Sequence, residues 1–98
     1  MTAYVIYQGH VTDPEQYDKY KPLSAASIAD AGGRLIVRGG DYESLEGNPP
    51  PTRTVLIEFP TRQAAVDWYN SATYTEARKV REGAADLDRM YVVDGWDG

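Results

Sequence analysis

Arg38 and Glu58 are the two side chains of this sequence best suited to act together. The turn segment Gly47-Asn48-Pro49-Pro50-Pro51 separates the extended runs that hold them. With that loop centred near Asn48, the two residues face each other across paired strands. An opposed guanidinium and carboxylate make a charge-assisted hydrogen bond. Such a pair either sets strand register or places an anchor for an anionic ligand (Arg38) beside a base (Glu58), unless a bulge at Gly39-Gly40 shifts the register and leaves the two unpaired. His10 is the single histidine, the residue type that titrates near neutrality. At the end of the first strand it is a solvated or capping residue, or a general base. Trp68, Tyr69 and Tyr74, with Arg81 beyond them, are either core or the wall of a small-molecule pocket. Arg78, Lys79 and Arg81 also suit the negative end of a helix dipole.

Other chemistries lack their residues. One histidine, no cysteine and no tight set of carboxylates leave no metal-ligand spacing. Gly32-Gly33 and Gly39-Gly40 do not make a G-x-G-x-x-G loop, and no G-x-S-x-G is present. Neither a metal nor a cofactor is expected. The net charge of −5 repels phosphate backbones, so nucleic acid is not an expected partner. No run approaches the ~20 apolar residues of a membrane span. The first residues enter a strand without a basic or apolar leader, and a cytoplasmic compartment fits the lack of cysteine.

The positioning elements follow from periodicity. Tyr4–Gln8 and Thr54–Phe59 are strand-like runs, and each leads to a helix start and then another strand. That is a β-α-β unit written twice, in residues 1–98 read as one domain. The first strand runs from Ala3 to about His10, with Val5 and Tyr7 on one face and Tyr4, Ile6, Gln8 and His10 on the other. Asp13, Pro14 and Gln16 form a helix start of capping-box type. The stripe Tyr17, Tyr20, Ser24, Ile28, Ala31 should face the sheet, with a kink or break at Pro22. Gly32-Gly33 ends this helix.

The second strand covers Arg34–Arg38, bulges at Gly39-Gly40 and resumes over Asp41–Leu45. The third covers Thr52–Phe59. Thr61 caps the second helix, whose inward stripe is Ala65, Trp68, Tyr69 and Ala72. Thr73-x-x-Glu76 starts the third helix, with Tyr74 and Ala77 inward and Gly83 at its close. The fourth strand covers about Asp88–Asp94. The expected architecture is an α+β, ferredoxin-like split β-α-β sandwich. Its antiparallel four-stranded sheet has order 4-1-3-2, with helices on one face.

Five motifs then point to a family: Val37-Arg38-Gly39-Gly40, Leu45-Glu46-Gly47, Ile57-Glu58-Phe59-Pro60, Trp68-Tyr69-x-Ser71-x-x-Tyr74, and Arg81. In this order they resemble the small bacterial family called domain of unknown function 1330, from Tyr4 to Gly95. That family resembles the dimeric α+β barrel superfamily, in which two ferredoxin-like protomers pack sheet against sheet. The wider superfamily includes cofactor-free monooxygenases of polyketide pathways, muconolactone isomerases and members with no known activity. Shared fold is not shared reaction.

The bare sheet face, carrying Tyr4, Ile6, Ile36 and Leu56, predicts a homodimer, since soluble monomers rarely expose such a patch. The expected function is a small homodimeric domain binding a small organic ligand, acidic ligands among the candidates, between helices and sheet. Arg38, Trp68, Tyr69, Tyr74 and Arg81 are its expected ligand-binding residues. The alternative is a cofactor-independent monooxygenase or isomerase acting on an activated carbonyl compound, with Glu58, Arg38 and His10 as candidate catalytic groups. The residues leave open whether it is an enzyme.

Overall fold

Alternation in the first strand becomes a two-sided sheet. The computed structural model describes residues 1–50 and 52–96. Its elements run in the order β1 (Ala3–Val11), α1 (Pro14–Asp30), β2 (Arg34–Arg38), β3 (Arg53–Phe59), α2 (Arg62–Tyr69), α3 (Ala72–Arg81) and β4 (Ala85–Asp94). The strands lie in the order β2-β3-β1-β4, every neighbouring pair antiparallel. This is the expected split β-α-β order read from the other edge. Ala3, Val5 and Tyr7 of β1 and Val55, Ile57 and Phe59 of β3 are buried beneath the helices. Tyr4, Ile6 and Gln8 point the other way, opposite Glu58, Leu56 and Thr54 of β3 and Val93, Tyr91 and Arg89 of β4. No helix among the described residues is long and apolar enough to cross a membrane.

Capping residues act largely as expected, with two departures. The Asp13 carboxylate accepts from the Gln16 amide at 3.2 Å, and Thr61 Oγ1 accepts from the Ala64 amide at 3.0 Å. Gln16 does not reach back to Asp13, however, because the Asp13 N–H already donates to the Ala84 carbonyl at 3.0 Å. Its amide instead donates to the Val80 carbonyl at 3.2 Å, tying the start of α1 to α3. The third helix is capped by Ser71 rather than Thr73. Ser71 Oγ accepts from the Tyr74 amide and donates to the Trp68 carbonyl, so one hydroxyl serves two helices. Ala72, expected on the inner stripe of the second helix, is the exposed first residue of α3.

Pro22 does not break α1. Tyr17 and Tyr20 before it and Ser27 and Ile28 after it are buried on one side, and tertiary packing of that stripe outweighs the lost intrahelical bond. Gly32 takes φ +80°, and the Gly33 N–H bonds the Ile28 carbonyl at 2.9 Å while Gly32 bonds Ala29, closing the helix as a Schellman turn.

The larger correction concerns β2. Asp41–Leu45 is not a strand, and the irregularity lies at Ile36, between Leu35 and Val37, not at the glycine pair. Residues 41–50 form a wide loop outside the ladder, so the register is not centred on Asn48. Arg34, not Arg38, stands opposite Glu58, and Arg38 stands opposite Val55. β4 also begins earlier than expected, at Ala85.

Phe59, Trp68, Tyr74 and Ile28 are the largest fully buried side chains. The Trp68 ring lies 4.1 Å from that of Tyr74 and 5.3 Å from that of Phe59, centroid to centroid. Its indole N–H donates to Ser27 Oγ at 3.0 Å, and Ser27 donates to the Ser24 carbonyl at 2.8 Å. Gly33 packs against this core so closely that an added Cβ would meet Phe59 Cε1 at 2.7 Å and Ile28 Cγ2 at 2.9 Å. Gly33→Ala should therefore cost about 1–3 kcal/mol in urea unfolding. Gly40→Ala, where a Cβ meets nothing within 4 Å, should leave the midpoint nearly unchanged.

Candidate ligand-binding site

Between α1 and the helix-side face of the sheet lies a cavity of about 30 Å³. Its aromatic wall is Tyr7 from β1, Tyr17 and Tyr20 from α1, Trp68 from α2 and Tyr74 from α3. Arg38, Arg53 and Lys21 also line it. Each position follows from local periodicity. Tyr7 shares the inner face of β1 with Val5, and Tyr17 and Tyr20 sit one helical turn apart. Arg53 precedes Val55 and Ile57 on the inner face of β3.

The hydroxyls are not equally satisfied. Tyr20 and Tyr74 share a hydrogen bond of 2.7 Å, and Arg81 Nη1 donates to Tyr74 Oη at 3.4 Å. Tyr7, only 3% exposed, has the Tyr17 side chain as a neighbour but makes no well-formed hydrogen bond through its hydroxyl among the described residues, and neither does Arg53 Nε. Buried polar groups are rarely left so. Burial pushes the Tyr7 pKa well above the ordinary phenol value, helped by the neighbouring Tyr17 and opposed by Arg81. Tyr74 moves the same way, through burial first and Tyr20 second, against Arg81 and Arg78. Both phenols therefore stay protonated at neutral pH, as donors. Arg81 lies 5.6 Å from the Tyr7 ring centroid and 5.8 Å from that of Tyr20.

The residues singled out in the sequence divide between two sides of the sheet. Arg38, Trp68 and Tyr74 line the cavity, and Arg81 backs it through the tyrosine rings. Tyr69 is turned away, held by Arg78, whose guanidinium donates to its hydroxyl and stacks 4.3 Å from its ring centroid. Tyr69 and the far side of Trp68 instead border an apolar groove of about 230 Å³ beside β4, with Val66, Leu87 and Tyr91. Glu58 belongs to the opposite face of the sheet, where its carboxylate pairs with Arg34 at 3.3 Å. His10 is exposed at the end of β1, its Nδ1 within 2.6 Å of Thr52 Oγ1 and accepting weakly from the Thr52 amide at 3.4 Å. Arg38, Glu58 and His10 are therefore not brought together.

The sequence reading passed over Tyr7, Tyr17, Tyr20 and Arg53 as site residues. The available signal was hydroxyl-bearing rings on inner faces where plain apolar residues suffice. Arg53 carried a weaker signal, as a charge in the inward phase of a buried strand. Among the described residues, no group of three or more His, Cys, Asp or Glu is placed to hold a metal.

Fold and site together define a small ferredoxin-like domain with a tyrosine- and arginine-lined cavity under its helices. The family model described as domain of unknown function (DUF1330) matches residues 2–96, and the chain belongs to that family, as its motifs implied. Among solved structures, a protein of unknown function from Rhodopseudomonas palustris, RPA0582, is similar at 20% identity and a TM-score of 0.72, covering 99% of this chain and 84% of that one. A Nitrosomonas europaea protein described as a candidate antibiotic biosynthesis monooxygenase is similar at 16% identity and a TM-score of 0.61, covering 98% of this chain and 90% of that one. HapK from Hahella chejuensis is similar at 14% identity and a TM-score of 0.61, over 98% of this chain and 94% of that one. At such identities the likeness shows the fold alone. No curated protein matches the sequence.

Two outcomes are expected from the phenols. Since Tyr7 and Tyr74 hold their protons longer when folded, stability is fully present below the ordinary phenol pKa near 10 and falls as pH rises past it. Each contributes a slope of about 1.4 kcal/mol per pH unit. Urea titrations between pH 9 and pH 12 should show this loss, and Tyr74→Phe should flatten it. At neutral pH, Tyr7→Phe removes an unsatisfied hydroxyl and should raise stability by about 1 kcal/mol, whereas Tyr20→Phe breaks a made bond and should lower it by about as much.

Proposed function

We propose that this domain binds a small organic molecule between its helix layer and its sheet, and does so as a homodimer joined through the open sheet face. The observation that carries the reading is the Tyr7 hydroxyl, buried and unpaired against an aromatic-lined cavity. Purely structural cores pair such groups, while binding sites keep a few convergent polar atoms for the ligand.

The dimer is supported by the other face. Tyr4, Ile6 and Leu56 lie at its centre, with Val37, Tyr91 and Val93 around them. The last three are 36%, 49% and 44% exposed, and together they form an apolar surface of the kind that marks an interface. A catalytic reading needs Glu58 beside Arg38, and those residues lie on opposite faces of the sheet. Binding without turnover is accordingly the function proposed.

Sedimentation velocity at micromolar concentration should give twice the 10.9 kDa chain mass. Ile6→Asp, at the centre of that face, should shift it to monomer with the far-ultraviolet spectrum unchanged. A wild-type monomer would end the dimer proposal. A thermal-shift screen of small aromatic compounds tests the ligand: a binder at 100 times its Kd adds about 2.7 kcal/mol. A screen in which no compound moves the midpoint counts against binding.

A further inference from the structure

We propose that the cavity receives the carboxylate of an aromatic acid, held by Arg53 and Tyr7, a refinement that rests on the ligand-binding function proposed above. Charge comes first. The chain carries 15 acidic and 10 basic residues, yet the cavity is lined by Lys21, Arg38 and Arg53 with no aspartate or glutamate among its described lining residues. Lys21 is already paired with Asp18 at 3.0 Å. Arg38 and Arg53 enter no ion pair among the described residues.

The way Arg53 is held supplies the second argument. Its guanidinium lies 5.2 Å from the Tyr17 ring centroid and crosses the backbone at Gly39, where an added Cβ would collide with Nη1. A ring face and a bare glycine position this cation without a counter-ion. Guanidinium hydrogens so arranged remain available to a planar oxyanion, which they match in geometry. Arginine has only donors, and the Tyr7 phenol stays protonated, so both unpaired groups can donate. An acceptor that takes several hydrogen bonds and carries negative charge answers both.

Size then limits what enters. About 30 Å³ is room for a water or a small head group, far below the ~300 Å³ or more of a site enclosing a whole ligand. The charged end is therefore buried, and the ring of the acid stays towards the mouth.

Benzoate and its neutral isostere benzamide are the probes, titrated calorimetrically into the wild-type protein, Arg53→Gln, Arg53→Lys and Tyr7→Phe. Benzoate should bind wild type about tenfold more tightly than benzamide, since hydrogen bonds to a charged group are the stronger kind. Arg53→Gln should reduce that preference to about twofold or less. Arg53→Lys, which keeps the charge but loses the planar fork, should fall between. Tyr7→Phe should weaken benzoate severalfold although the variant itself is at least as stable as wild type. Equal affinities of the two probes for wild type would overturn the carboxylate assignment and leave the binding function standing. A preference that survives both Arg53 variants would also overturn it. If neither probe binds, the assignment and the binding function fall together.

Discussion

The helix layer is fastened at one indole. Trp68 stacks on Tyr74, packs on Phe59 and donates to Ser27, so a single side chain of α2 touches α3, β3 and α1. Aromatic contacts of this kind contribute beyond their buried area, but the polar link matters for a different reason. A buried indole N–H without an acceptor costs the whole of its desolvation, so the partner hydroxyl of Ser27 has to face inward at that height of α1. Among the described residues, Ser27 is consequently the one buried polar residue of the core. With α1 rotated to satisfy it, Tyr20 and Tyr17 necessarily face the sheet about two and three turns earlier, and they become the roof of the cavity. The site is thus a by-product of how the helices are locked.

The elements were legible wherever a local rule decides them. Asp13, Thr61, Gly32 and Gly83 mark helix ends through hydrogen bonding or positive φ, and the inner alternation of β1 and β3 needs nothing beyond period two. The central pair of strands and the sheet order followed from that. What could not be read was decided by non-local packing. Ile36 is an ordinary β-branched strand residue, and nothing in its type announces an irregularity there. Tyr42 and Leu45 look like strand residues but are 54% and 87% exposed in a wide loop. Shifting β2 along β3 exchanged the partner of Glu58 from Arg38 to Arg34, and with it the face on which each charge acts.

The same shift explains why part of the site was visible and part was not. Trp68 and Tyr74 lie on helix stripes whose inner faces are evident. Arg53 depends on Gly39, the residue just past the end of β2, and their meeting is set by the register that escaped local rules. Arg81 was open to two readings, a favourable helix end and a ligand-binding residue. In the folded protein it is drawn inward over the rings of Tyr7 and Tyr20, a surrounding more aromatic than solvated. Functional arginines are hard to find in sequence for this reason: their surroundings, not their neighbours in the chain, decide what they do.

The strand order also bears on how the protein is made. β1 emerges first from the ribosome, yet it is bonded to β3 on one edge and to β4 on the other. Thr12 and Asp13, directly after it, donate to Ala84 far along the chain. The earliest strand of the sheet must therefore wait, unpaired, until β3 has been made, and the sheet closes only when β4 is complete through Asp94. Such long-range pairing slows folding and prolongs exposure of sticky edges.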